Sequence, residues 1–197
     1  MKKIKNILMV KKVLIPTILI IVTLFGIFSC NSNQTTEDTK DVAEEHNEGK
    51  FNNTKDAQFL VNAAEINLEE ILLGQSAQQN STMTDVKELG KMMEKAHRKS
   101  LTQLSDLASK KLITIPTSPT DKAKEDYKKL NEKSGISFDK DYCDRMVSGH
   151  KDAIAKFEKA STESNDADIR EWATTALPDL RKHLDYAINC QKTCKKM

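Results

Sequence analysis

Glycine and proline are scarce, six and four in 197 residues, and aromatic residues make up only 5%. A sandwich or barrel of many short strands needs frequent turn residues, so these counts exclude that class, along with collagen-like and low-complexity chains. No glycine cluster occurs anywhere. That removes the dinucleotide-binding fingerprint and the phosphate loop, both of which bring backbone close to a phosphate. A basic stripe is missing as well. The formal charge of +2 owes its sign to Lys2, Lys3, Lys5, Lys11 and Lys12 in the acid-free first 29 residues, and the remainder carries 26 basic against 29 acidic residues with the signs interleaved. Nucleic acid is therefore not an expected partner. No G-x-S-x-G elbow is present and no Ser–His–Asp order stands out, so no catalytic residue is assigned.

What is present begins with an address. Lysines crowd residues 1–12, and residues 13–28 (VLIPTILIIVTLFGIF) form an apolar run that ends at Ser29 and Cys30. The run is shorter than the roughly 18 apolar residues of a membrane span, and it contains Pro16. A charged start, an apolar middle and a small residue at the junction predict an export signal over residues 1–29, an uncleaved signal anchor being the alternative. The segment Ile27-Phe28-Ser29-Cys30 resembles a bacterial lipobox, apart from a bulky Phe28. The resemblance implies that Cys30 becomes the lipidated first residue of a mature protein held at a membrane of the bacterial cell envelope. Asn31 is not the aspartate that retains some lipoproteins in the inner membrane, which favours the outer membrane, facing the periplasm or the surface. Residues 30–56 then read as the lipidated cysteine and a disordered tether. Residues 31–55 are too polar to offset the entropy of ordering, and His46 among them is expected to be solvated.

From residue 57 onward the apolar spacing is helical. Helix spans are predicted over 57–79, 83–110, 139–163 and 167–194, with a short surface helix within 119–133. Thr82 and Asp85 suggest a capping box, Gly135 a C-terminal cap, and Pro178 a kink or split near Ala176–Leu177. The fold class is all-α. Two helical hairpins, turning near Ser81 and near Asn165–Asp166, make residues 57–194 a four-helix bundle domain. The connection of about 28 residues is long enough to cross the bundle's full length, as in ferritin-like folds, an up-down-up-down order being the other arrangement.

Polar residues fall where these stripes should be apolar: Glu70, His97, His150 and His183, one per long helix. Residues equidistant from an antiparallel turn lie level, so His150 faces His183. His97 and Glu70 differ by five residues, an axial offset of roughly 7.5 Å. Glu94 lies three residues before His97 at the edge of the same face, a Glu-x-x-His pair. Asp179 lies four before His183 but off centre. Imidazoles and carboxylates in a bundle core suit Zn, Fe, Cu or Mn. The other reading is a hydrogen-bonded His/Glu layer that fixes helix register, with Met93 and Met146 beside it. Among the cysteines, Cys143 and Cys190 are level on facing stripes. A disulfide between them closes a loop of about 46 residues, worth about 4 kcal/mol on the chain-entropy model. Cys194, one turn on, is the competing partner; free thiols and a three-thiolate metal site lacking a fourth ligand are the alternatives.

The strings AAEINLEEILLGQSA (63–77), LASKKLITIP (107–116), FDKDYCDRMVSGH (138–150) and LPDLRKHL (177–184), with the Met93–His97 spacing, resemble the domain of unknown function 4142 family of exported bacterial proteins. The likeness covers about residues 57–188. It implies a ferritin-like fold without an established activity, and Glu70, His97, His150 and His183 fall on its recurrent positions. The acids common just before the first two histidines are replaced here by Ala96 and Gly149. Two functions are compatible with this reading. One is a membrane-anchored, non-catalytic binding or structural module with an unidentified protein partner. The other is a metal-binding or oxidative-stress protein with a mid-bundle site.

Overall fold

A computed structural model describes residues 38–48 and 54–197. The expected export signal, Cys30 and the start of the expected tether lie outside the described residues. The chain is all-α. Six helices occur among the described residues: α1 Thr39–Asn47, α2 Thr54–Asn80, α3 Thr84–Lys110, α4 Asp121–Asn131, α5 Gly135–Glu163 and α6 Ala167–Lys195. No described helix is long and apolar enough to cross a membrane.

Helix α1 corrects the tether. Asp38 caps it, accepting from the Lys40 amide, and Ala43 is fully buried. Its polar side chains are tied to the segment after α3. Asn47 donates to the Thr114 carbonyl at 2.8 Å and accepts from the Thr114 amide at 2.9 Å, while Thr39 Oγ1 donates to the Ser118 carbonyl. Lys40 pairs with Glu65 on α2. His46, expected to be merely solvated, meets Thr114 Oγ1 at 2.6 Å. A nine-residue polar helix is not stable alone; these distant partners hold it.

The four long helices occur close to their predicted spans, but two of the expected caps do not form. Met83 is the N-cap of α3 and makes no side-chain capping bond. Thr82 turns instead to Asp139, donating from Oγ1 to Oδ2 at 2.7 Å. Gly135, predicted to close α4, opens α5 at φ +56°, and α4 ends at Asn131. Helix α6 runs unbroken through Pro178.

Cross-chain bonds fix the direction of each helix. At the α2–α3 turn, Thr82 meets Asp139 near the start of α5, and Cys190 near the end of α6 meets the Asp85 carbonyl. At the opposite end Lys111, just past α3, pairs with Asp166 and Asp168 at the start of α6. Helices α3 and α5 therefore run parallel, α2 and α6 run opposite to them, and residues 111–134 return the chain along the length of the molecule. The alternating order is not the one observed. Helix α2 packs on α3 and α5, and α6 packs on α5 and α3.

Helices α2 and α3 approach most closely at two glycines. A Cβ built at Gly74 lies 2.6 Å from the Gly90 carbonyl oxygen, and one at Gly90 lies 2.7 Å from the Gly74 carbonyl oxygen and 2.8 Å from Ala77 Cβ. Glycine inside a helix ordinarily costs about 0.5–1 kcal/mol relative to alanine. Here that sign is reversed, because backbone cannot yield as a flexible side chain does. Gly90→Ala is expected to destabilise the protein by about 2–3 kcal/mol, as overpacking does. Urea unfolding checks this, and an unchanged or raised midpoint would show that the two helices can part.

The core is in two halves. One apolar cluster includes Leu60, Leu104, Phe157, Ile169 and Leu180; the other includes Leu89, Met93, Phe138, Tyr142, Met146 and Ala187. Between the halves every long helix carries a buried polar residue: Asn67 and Glu70 on α2, His97 on α3, His150 on α5 and His183 on α6.

Candidate metal centre

Each histidine reaches this layer from an apolar stripe. His97 follows Met93 by one turn and His150 follows Met146 by one turn. His183 lies between Leu180 and Ala187, three and four residues away. Their burial follows from helical period alone. The ring centroids are 5.6 Å apart for His97–His150, 5.5 Å for His97–His183 and 5.4 Å for His150–His183, nearly an equilateral triangle. One ring nitrogen from each lies within 4.8 Å of the other two.

Their hydrogen bonds set the tautomers. The Asn67 amide donates from Nδ2 to the Ala63 carbonyl at 2.7 Å, which leaves its Oδ1 facing His97 Nδ1 at 3.0 Å. His97 Nδ1 must therefore carry the proton, and Nε2 keeps a bare lone pair. His150 Nδ1 donates to the Met146 carbonyl at 3.0 Å, again leaving Nε2 bare. His97 Nε2, His150 Nε2 and His183 Nδ1 are all buried without a hydrogen-bond partner among the described residues. A buried polar nitrogen without a partner costs about 1–3 kcal/mol, and three in one layer form a ready set of donors. Burial also keeps the rings neutral. It holds His97 well below the usual imidazole range, with the charges of His150 and His183 adding to the effect; it lowers His150 to about 4; and it lowers His183, against the opposing charge of Asp179. Neutral imidazole is the form that binds a metal.

The carboxylates predicted beside the histidines part company. Glu70 stays in the layer beside His150: its Oε1 lies 3.7 Å from Nδ1, the nitrogen bonded to the Met146 carbonyl, and its Oε2 has no hydrogen-bond partner among the described residues. Burial, aided by the charge of Glu69, pushes the Glu70 carboxyl up to about 8. A side chain at Gly149 would crowd it, since a Cβ there lies 3.3 Å from Oε1. Glu94 is absent from the layer. It accepts from Gln78, Gln75 and Arg98 on the α2–α3 surface, and these hydrogen bonds lower its carboxyl to about 2. The spacing missed Asn67, although a signal was there: an amide on the apolar stripe of α2, three residues before Glu70. An open groove between α3 and α6, lined by Lys95, Ser100, Thr175 and Asp179, reaches His97 and His183.

The expected Cys143–Cys190 disulfide is not formed. Cys143, Cys190 and Cys194 are free, buried thiols. Cys143 Sγ lies 3.8 Å from Cys194 Sγ, so the thiol of the next turn competes for the same position.

Fold and cluster define an all-α protein whose two core halves meet at a histidine-lined polar layer. The chain belongs to the family described as Domain of unknown function (DUF4142), whose model matches residues 40–189 and so takes in most of α1. No curated protein and no solved structure matches it.

Proposed function

We propose that this chain is a non-catalytic metal-binding module of the bacterial envelope. In this reading it is a ferritin-like four-helix bundle, tethered by a lipid on Cys30, that holds one transition-metal ion through His97 Nε2, His150 Nε2 and His183 Nδ1. The observation that carries the reading is that one ring nitrogen from each histidine lies within 4.8 Å of the other two, while each ring holds a buried nitrogen without a partner among the described residues. The outer hydrogen bonds support it, because a ligating histidine usually donates its other N–H to a carbonyl or a carboxylate, as His97 and His150 do to Asn67 and Met146. Three ligands at about 2.0–2.1 Å stand roughly 3.3 Å apart around a tetrahedral ion, so nitrogens now within 4.8 Å of one another close by about 1.5 Å at most. The groove between α3 and α6 leaves a fourth position for water. A neutral nitrogen set favours Zn(II) or Cu(II) over Mn(II). The parallel course of α3 and α5 and the long return segment support the ferritin-like comparison. The lipobox-like segment ending at Cys30 supports the envelope.

The test is elemental analysis of the full chain, isolated without a metal-binding tag and then reconstituted separately with Fe, Zn, Cu and Mn. One histidine-dependent ion per chain is expected, lost from a His97/His150/His183 triple leucine variant that keeps its helical circular dichroism. No retained ion from any of the four metals overturns the proposal and leaves the layer as a device for helix register.

A further inference from the structure

A second group of donors lies near the end of the molecule that holds the α2–α3 turn, on residues the histidine layer does not use. Cys143 on α5 and Cys194 on α6 place their sulfurs 3.8 Å apart, and Cys194 Sγ lies 3.5 Å from Met83 Sδ at the start of α3. Cys190, one turn before Cys194, interacts with the same Cys143 thiol and reaches the Asp85 carbonyl at 3.6 Å. All three thiols are at most 3% exposed. Three helices thus bring Cys143, Cys194 and Met83 into one row of sulfur contacts, with Cys190 against Cys143. Pairing among these three thiols leaves one outside any disulfide, and the 3.8 Å separation is far from the roughly 2.05 Å of an S–S bond. Two sulfurs bound at about 2.3 Å to one ion stand roughly 3.8 Å apart if it is tetrahedral and roughly 4.0 Å if it is trigonal.

We propose that Cys143, Cys194 and Met83 form a Cu(I) site, with Cys190 as its reserve thiolate. Zinc takes thiolate, imidazole and carboxylate ligands, whereas a thioether among thiolates selects Cu(I). Three sulfur ligands suffice for that ion, which removes the missing fourth ligand as an objection. Binding transfers the Cys143 and Cys194 protons to solvent and leaves two thiolates on a monovalent cation. The buried carboxylate of Asp139, one turn before Cys143 and held by Thr82, places negative charge near Cys194 and favours a cation there. Entry follows from position: Cys194 is the penultimate residue of α6, and terminal turns open most readily. This proposal is independent of the histidine site.

The experiment is an anaerobic titration of the reduced full chain with Cu(I) against a colorimetric Cu(I) chelator, following thiolate-to-copper charge-transfer absorption. One tightly held Cu(I) is expected. Cys143→Ser and Cys194→Ser should each weaken it by more than the ~100-fold that loss of an outer partner costs, Met83→Leu by about tenfold, and the triple histidine variant should retain it. Met83→Leu is isosteric enough to fold, so it keeps the test valid should a cysteine variant not fold. Failure to take up Cu(I), loss of uptake only in the histidine variant, or Zn(II) bound in preference and indifferent to Met83 each overturns the proposal.

Discussion

His150→Leu is expected to stabilise the metal-free protein while abolishing its stabilisation by metal. Without metal, His150 Nε2 is a buried nitrogen with no partner, and His97 and His183 stand edge-on to its ring. Leucine removes that orphaned group at similar volume and joins the apolar halves above and below, so the metal-free form should gain about 1–2 kcal/mol. With metal present the sign turns. An ion at a thousand times its dissociation constant stabilises the folded state by about 4 kcal/mol, and the variant, left with two imidazoles, should gain almost none of it. Urea unfolding of both proteins, once with chelator and once with saturating Zn(II), gives four free energies and one coupling. A coupling of several kcal/mol is the expected result. If wild-type stability does not respond to any ion, the triangle of imidazoles is a packing device and the proposed function falls.

Much of this site was legible because an antiparallel hairpin is a ruler. His150 and His183 are symmetric about the turn at Asn165–Asp166, and they meet. The same ruler placed His97 about five residues from Glu70, and the structure resolves that offset by supplying a different partner: Asn67, two residues from level, takes His97, while Glu70 stands beside His150. What spacing does not set is rotation about each helix axis. Glu94 lies one turn-edge from His97 and rolls out to Gln75 and Gln78. Cys190 and Cys194 share a face, and only the rotation of α6 decides which sulfur stands 3.8 Å from Cys143. Helix α1 was invisible for another reason. Its stability comes from Thr114, Ser118 and Glu65, and a local window holds none of those partners.

The metal-free protein is also expected to have a stability maximum near neutrality, with an acid limb steeper than the alkaline one. Burial lowers all three histidines, His150 to about 4, against about 6.5 in an unfolded chain. Between those values the unfolded chain binds protons that the folded layer refuses. The histidine contribution is therefore whole above about pH 6.5 and is lost as the pH falls toward 4. Glu70 has the opposite sign. Its carboxyl is raised from 4.5 to about 8, so its contribution is whole below 4.5 and is lost as the pH rises through 8. Near pH 5.5 the lowered histidines oppose one raised carboxyl, and each proton of the difference is worth about 1.4 kcal/mol per pH unit. Stability should thus rise by about 1 kcal/mol per unit or more on the acid side and fall by less than that above neutrality. Glu70→Gln should remove the alkaline fall and leave the acid limb, and the comparison with wild type cancels the remaining titrating groups. Urea unfolding in chelator at pH 5, 6, 7 and 8 measures both limbs, and a wild-type profile identical to that of Glu70→Gln would mean that the carboxyl is not held neutral. The same neutrality bears on metal binding: imidazoles held below their usual range have fewer protons to shed, so affinity for Zn(II) should fall less between pH 7 and 5.5 than that of three exposed histidines.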